Sequence, residues 1–194
     1  MSAPVALDDE VAERRARGDL EGAATLAIRT LGPEILGYLN ALLHDGSEAS
    51  EVFSQFAEDL WKGLAGFRGE ASLRTWAYRL ARHAALRHRR DPWRRKGERM
   101  ETTQASALAG SIIASTVLRN EWRAQQLQRL RARLGEEEQT LLILRIDRGL
   151  SWAEVAEVLG GEDGARPDEA ALRKRFERLK VKLAQAAREE GLLE

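Results

Sequence analysis

Cysteine is absent from the 194 residues, so the chain can hold neither a disulfide framework nor a thiolate metal site. Histidine is scarce: His44, His83 and His88 are scattered and make no zinc centre unaided, so neither a metal nor a cofactor is expected. The N-terminal stretch MSAPVALDDEVAERR carries acids where a signal peptide needs positive charge and then an apolar run. Nowhere does the sequence approach the roughly 18 consecutive apolar residues of a membrane span, so a cytoplasmic protein without membrane insertion is expected. A Gly-rich phosphate loop, metal-ligand spacing and a nucleophile placed with a histidine base are also missing. An enzyme is therefore not expected.

Net charge is lacking too, but the balance of 31 basic against 31 acidic residues hides a segregation. Residues 1–66 hold 5 Lys/Arg against 12 Asp/Glu, residues 67–99 hold 11 against 3, and residues 166–188 hold 8 against 3. One basic patch reads most simply as a solvated helix face. Two such patches, each on one side of an amphipathic helix, point toward a polyanion.

What is present is helical periodicity. Leu20, Ala24, Leu26 and Leu31, then Ile35, Leu36, Leu39, Leu42 and Leu43, then Val52, Phe53, Phe56, Leu60, Leu64 and Phe67 recur three and four residues apart, without strand-like alternation. Breakers fall at Gly18-Asp19, Gly32-Pro33, Asp45-Gly46-Ser47 and 67–70. The pattern predicts an all-α protein of two small helical domains: 18–92, a bundle of about four helices, and 119–190, joined by a flexible linker over 93–118. Asp91-Pro92 closes the first domain, and the linker carries the basic cluster Arg94-Arg95-Lys96 and a Thr/Ser/Ala/Gly-rich stretch. Periodicity returns with Val117, Leu118, Trp122, Leu127, Leu130 and Leu134.

The segment SLRTWAYRLARHAALRHRR, 72–90, is the most informative. At about 100° per residue, Leu73, Ala77, Leu80, Ala81 and Ala84 share a packing side, while Trp76, Arg79, His83, Arg87 and Arg90 form a flanking stripe. Arginines neutralise phosphates and a ring can stack on an unpaired base, so such a row suits DNA at the boundary between duplex and single strand. Trp76 reads equally well as a half-buried core residue. Further on, Ser151 with Glu154 makes a capping box that opens a short helix ending at Leu159-Gly160-Gly161. Asp168 is the expected N-cap of a second helix whose Leu172, Phe176, Leu179 and Leu183 form an apolar face. Lys174, Arg175, Arg178 and Lys182, with Ala171 near the start, line the adjoining face, giving a helix-turn-helix whose second helix would enter the major groove.

These residues resemble the extracytoplasmic-function (ECF) subfamily of bacterial RNA polymerase sigma factors, from about Gly18 to Leu183. FRGEASLRTWAYRLARHAALRHRR is similar to the stretch that melts and reads the minus-ten element in that family. The resemblance implies that Arg68, Gly69, Glu70 and Ser72 form a turn that captures a flipped promoter base, with Trp76, Arg79, His83, Arg87 and Arg90 on the reading helix. The preceding helix, 49–66, is similar to the family's contact with polymerase core, which implies a docking face of Glu51, Gln55, Glu58 and Asp59. Ser54 and Ala57 stand where glutamine and phenylalanine are common. RARLGEEEQTLLILRIDRGLSWAEVAEVLG followed by AALRKRFERLKVKL resembles the domain that grips the minus-thirty-five element, which places Ala171, Arg173, Lys174, Arg175, Arg178 and Lys182 on that DNA. Nine residues, Gly161 to Glu169, separate the two helices where the family has about three; a longer turn closes at little entropic cost.

The implied partners are RNA polymerase core and promoter DNA, with an anti-sigma protein as a further candidate that nothing in the sequence identifies. In this reading the linker threads past the active-site cleft between two DNA-gripping helices. The competing reading is a stand-alone helix-turn-helix regulator with a ligand-sensing or dimerisation domain. It accounts for the C-terminal helices but not for the tryptophan-led basic stripe.

Overall fold

The computed structural model describes residues 4–90, 104–117, 134–161 and 165–189. Every regular element among them is helical, as the periodicity predicts. The chain divides into two compact units, Met1–Arg119 and Asn120–Glu194. Leu118, Trp122, Leu127, Leu130 and the cluster Arg94-Arg95-Lys96, all singled out in the sequence, lie outside the described residues.

Among the described residues the first unit holds five helices: α1 (Pro4–Ala16), α2 (Leu20–Leu43), α3 (Gly46–Gly63), α4 (Leu73–Arg90) and α5 (Gln104–Val117). Aspartates begin two of them. The Asp19 carboxylate accepts the Gly22 N–H at 2.8 Å, and that of Asp45 accepts those of Ser47 and Glu48 at 2.7 and 2.9 Å. α2 ends at His44, in the left-handed region at φ 58°. The core is built from Ile28, Ile35, Leu36, Tyr38 and Leu39 of α2, Phe53, Phe56 and Leu60 of α3, and Leu73 and Tyr78 of α4. α4 otherwise buries Thr75 and the alanines Ala77, Ala81, Ala84 and Ala85, whose small side chains let its backbone approach the bundle closely. Of its expected packing residues only Leu80 stays half-buried.

The structure differs from the sequence expectation in three places. Gly32-Pro33 does not end a helix: α2 runs through it as one rod of 24 residues. An internal proline costs about 3 kcal/mol, whereas burying Leu31, Ile35, Leu36 and Leu39 returns about 1.5–3 kcal/mol each, so packing of both halves on the same core prevails. α1 lies outside the expected 18–92 span yet seats Leu7 and Val11, one turn apart, in the first unit's core. Within the expected linker, residues 104–117 form α5, which packs on α2 and α3 through Ala105, Ala109 and Ile112. That spacing of four and three is a helical face, but one made of such small residues that the stretch reads as a connector. Gly32 leaves the room it needs, since a Cβ there would lie 2.6 Å from the Ile112 Cδ1 atom.

The second unit contains α6 (Glu136–Leu142), which continues into a wider π-type turn (Ile143–Asp147), then α7 (Trp152–Leu159) and α8 (Glu169–Glu189). The capping box is present: the Glu154 N–H donates to Ser151 Oγ at 3.2 Å and the Ser151 N–H to Glu154 Oε2 at 2.7 Å. Asp168 caps α8 by accepting the Ala171 N–H at 2.9 Å. Leu172, Phe176 and Leu179 are buried and Leu183 half-buried. Trp152 meets the Phe176 ring edge-on at 5.5 Å, locking α7 to α8. On either side of residues 162–164 the Gly161 N–H donates to the Ala165 carbonyl at 2.9 Å, and Arg166 pairs with Glu157 of α7 at 2.8 Å. No helix among the described residues is long and apolar enough to cross a membrane.

Candidate nucleic-acid interface

A single 3₁₀ turn, Leu64–Gly66, ends α3, and the chain leaves it extended at Phe67. Gly69 then takes φ +72°, a conformation that costs an ordinary L-residue about 1–2 kcal/mol. Arg68, Gly69 and Glu70 are exposed, and the Arg68–Glu70 pair, 3.8 Å apart and 83% and 66% exposed, is too solvated to hold the turn. Ser72 begins α4 by accepting the Thr75 N–H at 3.1 Å, and the two hydroxyls bond at 2.8 Å. Trp76 is half-buried: its ring lies 4.9 Å from that of Phe67, tilted by 34°, and a Cβ at Gly63 would come within 3.3 Å of it. The indole is thus propped at the root of the turn without being sealed in the core.

Along the rest of the stripe Arg79 and His83 are half-buried, and Arg87 and Arg90 exposed. Arg87 forms an ion pair with Asp59 of α3, and the same carboxylate accepts the Gln55 amide at 3.0 Å. The structure therefore brings two residues of the expected docking face together with one of the expected DNA stripe. Glu51 is exposed, and Glu58 faces Lys62 at 3.7 Å.

Three supports of α4 and of the turn before it come from distant helices and escape any reading of spacing. Glu34 of α2 accepts from Arg74 Nε, 3.1 and 3.2 Å from its two oxygens, from Arg74 Nη2, and from the Tyr78 hydroxyl at 2.7 Å. Asp8 of α1 accepts the Leu73 N–H at 3.2 and 3.3 Å through its two oxygens, capping α4 from another helix. Burial holds the Asp8 carboxyl above its ordinary range, against the pull of that hydrogen bond. Arg15 Nη2 donates to the Ala65 and Phe67 carbonyls at 3.2 and 2.7 Å, with its guanidinium 5.8 Å from the Phe67 ring centre.

In the second unit Ala171, Arg173, Lys174, Arg175, Arg178 and Lys182 are all exposed on α8. Arg175 pairs with Glu137 and Lys182 with Glu138, at 2.7 Å for the latter, while Arg173 pairs with Glu169 at 2.9 Å. The hydrogen bond from Lys182 holds the Glu138 carboxyl below its ordinary range. Lys174 and Arg178 make no ion pair among the described residues. Acids at the start of α6 thus already neutralise part of the α8 cation set.

Residues 27–95, from within α2 through α4, match the family model described as Sigma-70 region 2. The chain is similar to the RNA polymerase sigma factor YlaC of Bacillus subtilis, with 31% identity over 136 residues, 66% of this chain and 73% of that protein. It is likewise similar to the RNA polymerase sigma-H factor of Pseudomonas aeruginosa, with 30% identity over 160 residues, 78% of this chain and 82% of that one.

Proposed function

The chain belongs to the RNA polymerase sigma factors, of the extracytoplasmic-function type, and on that premise we propose how its residues divide the work of initiation. A sigma factor directs polymerase to promoters and into transcription initiation, which sets aside a stand-alone regulator. The face of α3 around Glu51 and Glu58 docks on polymerase core in the cytoplasm. The 67–72 turn captures an unpaired base of the minus-ten element, and Trp76, Arg79, His83, Arg87 and Arg90 hold the strand beside it. Ala171, Arg173, Lys174, Arg175, Arg178 and Lys182 of α8 meet the minus-thirty-five element in a helix-turn-helix with α7. The protein performs no covalent chemistry; its output is differential binding energy.

The observation that carries this reading is the exposed, left-handed turn at Gly69, capped directly onto a helix whose flank carries a propped indole and a row of cations. Base capture needs such a site, because an extruded base loses stacking of a few kcal/mol that a pocket and a ring must offset. Trp76→Ala and Arg79→Ala should each abolish promoter opening in a reconstituted transcription assay and change affinity for core less than about twofold, since core docking rests on α3. Equal loss of core affinity and opening would overturn the division.

A further inference from the structure

We propose that α1 is a positioning element for promoter capture, in which Asp8 and Arg15 bracket the turn before α4 and hold it in the shape that accepts the base. The inference rests on the capture reading and extends it to a helix outside the stretch that resembles the family.

The exposed turn has little to order it from within. Its central residues bury nothing, Gly69 widens the accessible backbone conformations, and the Arg68–Glu70 pair is solvated. Its order comes from its two ends, and α1 reaches both. Asp8 and Arg15 are seven residues apart, which places them on one face of α1 about 10.5 Å apart along its axis. Arg15 ties down the entry through the carbonyls of Ala65 and Phe67; Asp8 ties down the exit through the Leu73 N–H. Arg15 also lies over the Phe67 ring, and Phe67 supports Trp76, so the bracket reaches the indole expected to meet the base. A turn free to wander would bind more weakly by the fraction of time it spends in the competent shape, which is what pinning its ends removes.

The folded pKa of Asp8 is raised, so stability falls as pH climbs from the ordinary carboxylate value through the folded one, and at neutral pH the charge costs the fold. A carboxylate kept partly desolvated at the start of α4 fits a role in shaping the turn.

The test uses the full chain assembled with polymerase core, and single-stranded oligonucleotides that the wild-type holoenzyme has enriched from a random pool. Each position is replaced in turn by an abasic sugar. Wild type should lose about tenfold in affinity at the captured position, the scale of one base stacked on an aromatic ring. Asp8→Ala and Arg15→Ala should bind every oligonucleotide alike at that position, with core affinity close to wild type and melting temperature lowered by no more than the roughly 4–8 °C that loss of one cap costs. Asp8→Asn, whose amide oxygen still accepts the Leu73 N–H, should restore the wild-type profile. If both alanine variants keep the tenfold discrimination, the bracket is wrong. A flat wild-type profile would overturn base capture itself, and this inference with it.

Discussion

At the scale of single residues, α4 is held by a few polar groups that its own sequence does not announce. Glu34 is the plainest. It accepts from both Arg74 and Tyr78 while only 28% exposed, so its removal takes an acceptor from a guanidinium and from a buried phenol. Charged hydrogen bonds of this kind contribute about 1.5–3 kcal/mol, so Glu34→Ala should lower stability by about 2–3 kcal/mol in urea unfolding. Glu34→Gln should lose less, because it still accepts one bond. An unchanged midpoint for the alanine variant would mean the cluster adds nothing to the fold. None of these contacts could be read ahead, because their partners lie on α2, 40 and 44 residues away in sequence.

At the scale of elements, α5 and α2 depart from what local sequence signals predict, the one read as a linker and the other as broken at Gly32-Pro33. α5 carries no charged residue and docks through two alanines and Ile112, which is 7% exposed. Placing a carboxylate there forfeits about 1.5–3 kcal/mol of burial and adds an unpaired charge, so Ile112→Glu should release α5 while α2 to α4 stay folded. Hydrogen exchange should then show fast amides over 104–117 and slow ones in α3 and α4; protection retained over 104–117 would refute it. The surface uncovered is that around Gly32 and Phe53. α2 teaches the converse lesson: its Gly-Pro pair is a sound local stop signal, overridden because apolar residues on both sides belong to one buried stripe.

For the whole molecule, the segregation of charge is the property most exposed to measurement. Each phosphate contact contributes about 0.9 to the slope of log affinity against log salt. Removing Lys174 and Arg178 together from the holoenzyme should therefore flatten that slope by about 1.8, as two contacts do. Arg175→Ala should flatten it by clearly less than one contact, because Arg175 must first leave Glu137 before it can neutralise a phosphate. Equal effects from Arg175 and Lys174, titrated across salt by fluorescence anisotropy, would show that the acids of α6 do not compete.

Much of this protein was determined by its sequence alone. The all-α class follows from apolar spacing, the caps at Ser151 and Asp168 from local side-chain chemistry, and the apolar face of α8 from Leu172, Phe176 and Leu179, because each depends only on neighbours within a few residues. Only the tertiary structure decided that α2 passes through Pro33, that α5 joins the first unit, that Arg87 is shared with Asp59, and that Asp8 and Arg15 reach the turn before α4. Those outcomes depend on which surfaces meet after collapse. Burial and hydrogen bonds between segments up to 65 residues apart leave no periodic trace along the chain.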